Sequence, residues 1–158
     1  MPAGIQIVRP QQGPYDPESP QLLPPDFQLI AWINGWRTSW SHILSGKFSD
    51  APYSGLFCYD KSAGFAACYR MDEPGQLELL NEYGEWENSW THVVTGIFGD
   101  SGYDGILLYD QQSGHAAFYD MDGQGSLLLL QEHTWDTTWT KIIAAPFVDS
   151  KYSWTAFL

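Results

Sequence analysis

A tryptophan-centred motif recurs three times along the chain, at a spacing of about 50 residues. The motif W-x-x-x-W-[ST] begins at Trp36, Trp86 and Trp135. Each copy leads into an apolar run of the same kind. Self-similarity at a fixed spacing is typical of repeat folds, in which each unit buries its apolar face against the next one. The sequence therefore predicts three similar units.

Each complete unit is predicted to contain four short β-strands. Apolar and β-branched runs alternate with clusters of Gly, Asp, Ser and Asn, a pattern typical of strands joined by turns. No segment keeps a helical period. The predicted strands are 41–48, 55–60, 65–71 and 77–82 in the first unit and 91–98, 105–110, 115–121 and 127–132 in the second. We expect an all-β fold made of antiparallel four-stranded units.

The two ends of the chain predict the two halves of a third unit. Residues 139–147 and 154–158 match strands one and two of a unit, and residues 27–30 match strand four. Residues 5–8 are then expected to supply strand three. Joining the two ends would remove exposed sheet edges, which are a hazard for any β protein.

This interpretation divides the chain into two regions. Residues 1–26 form an N-terminal strand and a proline-rich arm, and residues 27–158 form the repeat domain. The units lie near 36–85, 86–134 and 135–158, and the N-terminus completes the last one. Two architectures fit. The units are blades of a β-propeller, three making a half-ring that a homodimer completes as six, or they close within one chain as a β-trefoil.

The charge and composition of the chain limit the kinds of partner that we expect. The chain has 19 acidic and 7 basic residues, for a net charge of −12. This potential repels phosphate backbones and anionic lipids, so we expect neither nucleic acid nor a membrane as partner. The first residues do not resemble a signal peptide, so a cytoplasmic location is the default expectation. Two cysteines, Cys58 and Cys68, exclude a disulfide scaffold and are expected to be buried thiols on one face of a hairpin.

The residue pattern resembles a known family. W-x-x-x-W-[ST] followed by aliphatic residues, G-x-F in two copies, then L-L-x-Y-D and D-G-x-G, is similar to FG-GAP-like repeats of bacterial proteins over about residues 27–158. The resemblance implies propeller blades whose loops hold calcium through aspartates. Tryptophan-rich propellers also resemble multivalent bacterial lectins.

Metal binding is not expected in this chain. Calcium needs several oxygen ligands at closely spaced positions. At two positions where the family has carboxylates this chain has other residues: Lys47, Ile97 and Pro146 at the first, and Gly55, Gly105 and Trp154 at the second. The histidines have no metal-ligand spacing. We therefore expect no metal and no cofactor.

The motif F-x-D-x-x-Y occurs in all three copies and supplies the candidate ligand-binding residues. These are Asp50 and Tyr53, Asp100 and Tyr103, and Asp149 and Tyr152. A carboxylate accepts hydrogen bonds from sugar hydroxyls, and an aromatic face packs on the apolar face of the ring. The outer tryptophans Trp36, Trp86 and Trp135 are expected to be partly exposed stacking surfaces, and the inner ones to be core. A structural role, with Asp capping the turn and Tyr closing the core, is the alternative.

The sequence favours a non-enzymatic, multivalent carbohydrate-binding module with one shallow site per repeat. A protein-interaction or self-assembly module is the second hypothesis. A small-molecule enzyme with a pocket near the proline-rich arm is a weaker third. An enzyme is less expected, because the chain has no nucleophile elbow, phosphate-binding glycine loop or dinucleotide fingerprint.

Overall fold

The computed structural model describes residues 4–10, 27–145 and 151–158 of the chain. These residues form β-strands joined by turns and contain no helix, so the prediction of an all-β fold is confirmed. It follows that no helix in the described part is able to cross a membrane. The strands are β1 Gly4–Pro10, β2 Phe27–Asn34, β3 His42–Gly46, β4 Tyr53–Asp60, β5 Phe65–Glu73, β6 Gln76–Tyr83, β7 His92–Gly96, β8 Gly105–Tyr109, β9 His115–Met121, β10 Leu127–Thr134, β11 Ile142–Ala145 and β12 Trp154–Phe157.

The strands form four antiparallel sheets. Sheet I has the order β3-β4-β5-β6, and sheet II has the order β7-β8-β9-β10. The remaining strands form two hairpins: the N hairpin is β1-β2, and the C hairpin is β11-β12. The two terminal halves expected for a third unit therefore exist as strands, but in the described residues they are separate two-stranded sheets.

The hairpins β5-β6, β9-β10 and β1-β2, here called the outer hairpins, share one irregularity at the same place. Each contains a β-bulge, in which one strand has an extra residue. The extra residue is Leu80 in β6, Leu130 in β10 and Ile30 in β2. A bulge fixes the register on both sides of it. The N hairpin thus has the register of strands three and four of a complete sheet.

The hairpins β3-β4, β7-β8 and β11-β12, here called the inner hairpins, also share their register. Ile142 lies opposite Phe157 in the C hairpin, as Val93 lies opposite Leu108 in sheet II. The C hairpin thus has the register of strands one and two. From here on, residues at the same place in different copies are called equivalent.

Sheets I and II pack face to face over the main apolar core. Sheet I contributes Phe57 and Tyr59, and sheet II contributes Ile106 and Leu108, all almost fully buried. A second core lies between sheet II and the C hairpin, around Leu107 and Tyr109. Every residue of β8 is buried because both faces of this central strand are covered. The strand consequently reads as a continuous apolar run.

Trp86 and Trp135, each the first tryptophan of its motif, lie where one sheet meets the next. The backbone N–H of Trp86 donates to the Gly64 carbonyl at 2.8 Å, and the backbone N–H of Trp135 donates to the Gly114 carbonyl at 2.7 Å. Both glycines have positive φ, 59° and 77°. A Cβ on Gly64 would lie 2.4 Å from the Trp86 carbonyl oxygen. Glycine is therefore required where the chain of the next unit crosses this turn.

The placement expected for the two cysteines is wrong. Cys58 lies opposite Ala67, and Cys68 lies opposite Phe57. Neighbouring positions along a strand point to opposite faces, so the two thiols lie on opposite faces of sheet I. Both are free and buried, and burial raises the pKa of each thiol to about 12.

Candidate functional site

The predicted ligand residues meet at the contacts between successive sheets. We call the contact between sheets I and II junction one, and the contact between sheet II and the C hairpin junction two. At junction one the Tyr103 hydroxyl donates to Asp50 Oδ1 at 2.7 Å. At junction two the Tyr152 hydroxyl donates to Asp100 Oδ1 at 2.6 Å. Each aspartate is therefore paired with the tyrosine of the next copy instead of its own.

The hydrogen bonds in these pairs shift the pKa values of the side chains involved. The hydrogen bond to Asp50 raises the pKa of Tyr103. Tyr152 and then Lys151 lower the pKa of Asp100, whose side chain is 81% exposed. The pairs are thus surface links between sheets with carboxylates that still face solvent. Tyr53 is the first residue of β4 and is 46% exposed, and Asp149 lies outside the described residues.

The outer tryptophans lie between sheets. The Trp86 ring centroid lies 5.7 Å from that of Phe57 and 5.5 Å from that of Tyr83. The Trp135 ring lies 5.9 Å from Tyr109 and 4.6 Å from Phe157. Both are half-buried and pack against the apolar cores. Trp86 contacts two rings of the unit before it, whereas Trp135 contacts Tyr109 of the unit before it and Phe157 of its own unit, and so joins sheet II to the C hairpin.

The first and inner tryptophans vary between copies. Trp36 is half-buried, and its ring lies 4.9 Å from that of Tyr69 in sheet I. Its indole N–H is buried and has no hydrogen-bond partner among the described residues. Of the inner tryptophans, Trp90 is 5% exposed, while Trp40 and Trp139 are half-buried.

Sequence reasoning missed a second set of links between sheets. His42 Nε2 lies 3.2 Å from the Thr91 carbonyl oxygen, and His92 Nε2 lies 2.9 Å from that of Thr140. Burial lowers the pKa of His42, which fits a neutral ring in this contact. The signal was present, since a histidine occupies the same position in two successive copies.

Two buried tyrosines make an analogous link. The Tyr59 hydroxyl donates to the Glu87 carbonyl at 2.7 Å, and the Tyr109 hydroxyl donates to the Asp136 carbonyl at 2.6 Å. Burial raises the pKa of Tyr59 to about 12. The equivalent residue in the last copy is Leu158, which has no hydroxyl and is 75% exposed.

Junction one is closed on its outer side by the turn between β9 and β10. The Gly125 carbonyl in this turn accepts hydrogen bonds from Asn81 Nδ2, at 2.9 Å, and from the Tyr83 hydroxyl. A Cβ on Gly125 would lie 2.7 Å from the Asn81 Cβ. The turn therefore fills the space beside the bulge of β6.

At junction two the same place is an open groove of about 430 Å³. Its lining residues are Phe98, Gly99, Asp100, Leu130, Gln131 and Tyr152. Leu130 and Gln131 are equivalent to Leu80 and Asn81 of junction one. The groove is open because the C hairpin has two strands and so lacks the outer hairpin whose turn would fill it.

Apolar residues at both ends of the array are exposed where their equivalents are buried. Ile43 is 51% exposed, whereas its equivalents Val93 and Ile142 are 6% and 8% exposed. Leu158 is 75% exposed, whereas Tyr59 and Tyr109 are fully buried. Val93 and Ile142 are covered by the four-stranded sheet that precedes each of them, whereas Ile43 is preceded only by the two-stranded N hairpin, and in the described residues no sheet follows Leu158.

No group of histidine, cysteine, aspartate or glutamate side chains in the described ranges is arranged to hold a metal ion. A comparison of the chain with protein families, curated proteins and solved structures finds no match. The resemblance to FG-GAP-like repeats therefore stays a prediction that rests on the motif.

Proposed function

We propose that this chain is a self-assembly module, one half of a closed six-bladed β-propeller that a second copy completes. The observation that carries the proposal is the burial contrast at equivalent positions. Side chains of sheet I and of the C hairpin remain exposed where equivalent side chains are covered by a neighbouring sheet, and large exposed apolar patches mark interaction sites.

Sheet I and the C hairpin each expose apolar side chains, on faces that complement each other. Sheet I exposes Ile43 and Tyr53, whose equivalents pack against a preceding sheet. The C hairpin exposes Ile143 and Leu158, whose equivalents pack against a following sheet. Sheet I of a second copy is a following sheet for the C hairpin, and that C hairpin is a preceding sheet for it. A two-fold axis relating two copies satisfies both ends at once and closes the ring.

A polar contact supports the same arrangement. His42 and His92 each reach a carbonyl of the next unit, at Thr91 and Thr140. In the last copy the equivalent residue is Lys141, which is exposed. The carbonyl it would meet in a following sheet I is that of the partner's Ser41. A lysine ammonium donates to a carbonyl oxygen as an imidazole N–H does, so the contact is chemically equivalent.

The test is the mass in solution by multi-angle light scattering. The wild-type chain is expected at twice its mass of 17.9 kDa. The substitution Ile43→Asp places a carboxylate at a position that is buried in the other two copies, and is expected to give monomers. Leu79→Asp is the matched control, because Leu79 and its equivalent Leu129 are 46% and 44% exposed alike. A monomeric wild type, or an Ile43→Asp variant as dimeric as the control, would overturn the proposal.

Carbohydrate binding is the second candidate function. The observation that favours it is the exposed carboxylate held beside a phenol at each junction, as in Asp50 with Tyr103 and Asp100 with Tyr152. A closed ring would repeat this pair and so raise affinity by multivalency. A glycan array followed by titration calorimetry tests it. Asp50→Asn and Asp100→Asn keep an acceptor for each tyrosine but remove the charge, and are expected to weaken binding. Absence of wild-type binding at millimolar sugar would exclude this function.

A further inference from the structure

The chain begins and ends with two hairpins that are complementary halves of one sheet. The C hairpin has the register of β3-β4 and β7-β8. The N hairpin has the bulged register of β5-β6 and β9-β10. Placed side by side in the order β11-β12-β1-β2, they reproduce the strand order of sheets I and II.

The two halves lie at opposite ends of the array. The N hairpin adjoins sheet I, since a Cβ on Gly75 would lie 2.3 Å from the Ala31 Cβ. The C hairpin adjoins sheet II through the contacts of junction two. Both four-stranded sheets stand between them. The described strands accordingly show no pairing between β12 and β1.

Each hairpin has one strand edge that is open where the equivalent edge in sheets I and II is paired. In sheets I and II, strand two pairs with strand three, as β4 with β5 and β8 with β9. The equivalent strands β12 and β1 lack this pairing in the described residues. An open edge is a row of unpaired N–H and C=O groups that can template pairing with another chain. Addition of a strand to such an edge is a common mode of recognition.

We infer that two copies exchange these hairpins, so that the N hairpin of each completes the C hairpin of the other as one four-stranded sheet. The inference rests on the proposed self-assembly and specifies which segments join. The register follows from the β8-β9 pairs Ile106 with Tyr119 and Leu107 with Phe118, and from the matching pairs of sheet I. The expected pairs between copies are Thr155 with Val8, Ala156 with Ile7, Phe157 with Gln6 and Leu158 with Ile5.

The same exchange accounts for the open groove at junction two. In junction one the bulge of β6 is covered by the outer hairpin of the next sheet, through Asn81 and Gly125. A second copy's N hairpin, added to β12, becomes the outer hairpin of the sheet that follows sheet II. It then stands beside Leu130 and Gln131 in the position that β9-β10 has beside Leu80 and Asn81.

Disulfide trapping tests the register. Ile7→Cys and Ala156→Cys are made on separate chains that differ in length by a tag, mixed by unfolding and refolding, and oxidised mildly. Exchange is expected to give a covalent heterodimer on a non-reducing gel. The matched control pairs Ile7→Cys with Phe157→Cys, whose side chain points to the other face of the strand. It is expected to give at least about tenfold less product, since disulfide geometry requires facing Cβ atoms. The wild type gives the background from Cys58 and Cys68.

Each outcome has a defined meaning. A dimeric wild type with no cross-link, at this pair or at Ile5→Cys with Leu158→Cys, overturns hairpin exchange and leaves the proposed assembly standing. A monomeric wild type overturns both. A chain carrying both Ile7→Cys and Ala156→Cys that yields only an internally bonded monomer shows that the ends pair within one chain, and this also overturns the exchange. Light scattering of the reduced variants checks that the substitutions leave assembly unchanged.

Discussion

Junction one and junction two are built from equivalent residues, yet only junction one is complete. Both have a buried tyrosine hydroxyl on a carbonyl of the next unit, a histidine on another carbonyl, and a surface tyrosine–aspartate bond. Junction one adds the outer turn at Gly125, which receives Asn81 and Tyr83. At junction two that place is the groove beside Leu130.

The sequence of a unit therefore sets its contacts, whereas its neighbours set how much of the unit is buried. The inner half of a sheet is sufficient for the histidine and tyrosine links. The outer half is needed to cover the bulged strand. The following predictions separate the two junctions most clearly in the Ile43→Asp background, in which the chain is expected to be monomeric.

The largest effect is expected from Phe57→Ala. Phe57 is fully buried at junction one, so its truncation removes buried apolar area and leaves a cavity, at a cost of about 3–5 kcal/mol in the free energy of unfolding. Phe157 is at a different position of the repeat, equivalent to Leu108, but it supplies a phenylalanine ring to junction two. Phe157→Ala removes a half-buried ring there and is expected to cost about 2 kcal/mol. Urea denaturation measures both. Equal losses would mean that junction two is as closed as junction one.

A smaller effect is expected from Asn81→Ala. The change removes a hydrogen bond to the Gly125 carbonyl and is expected to cost about 1 kcal/mol. Gln131 occupies the equivalent place beside the open groove, so Gln131→Ala is expected to change the free energy of unfolding by less than about 0.5 kcal/mol. A loss at Gln131 as large as that at Asn81 would contradict the comparison. The same denaturation series, run side by side, decides it.

The smallest effect is a pH dependence at junction one. Burial lowers the pKa of His42, with His92 and Lys61 acting in the same direction and the bond to Thr91 opposing it. Above pH 6.5 the ring is neutral in both states. As the pH falls below that value, the unfolded chain binds the proton more readily, so stability decreases. His42→Gln keeps a donor for the carbonyl and is expected to reduce this loss between pH 7.5 and 5.5. An unchanged slope in the variant would assign the loss to other groups.

Much of the fold follows from the local pattern of residues in the sequence. The predicted strand 115–121 coincides with β9, and turn glycines such as Gly114 stand where positive φ is needed. The inner strands were predicted too long: β3 ends at Gly46, and the following Phe48 turns into the core, where it is 1% exposed. An apolar residue after a strand continues the alternating pattern, so periodicity alone does not locate the strand end.

The candidate site could be predicted from the sequence only in part. The sequence identified Asp50 and Tyr103 as members of a recurring motif. It did not reveal that an aspartate bonds the tyrosine of the next copy, because the repeat contains no information on the distance between successive sheets. The role of His42 could not be predicted for the same reason, because its partner is a backbone carbonyl, which has no signature in the sequence.

What the sequence determined by itself is the unit: strands, turns, glycine positions and the tryptophan motif that begins each one. These depend on side-chain alternation and backbone conformation over a few residues. The contacts between units and the pairing of each tyrosine with its aspartate are visible in the tertiary structure alone. The same is true of the two half-sheets, whose strands β1 and β12 are not paired with each other in the described residues. Those features depend on the packing of residues far apart in the chain. Equivalent residues such as Ile43 and Val93 have different surroundings because a four-stranded sheet precedes Val93, whereas only the two-stranded N hairpin precedes Ile43.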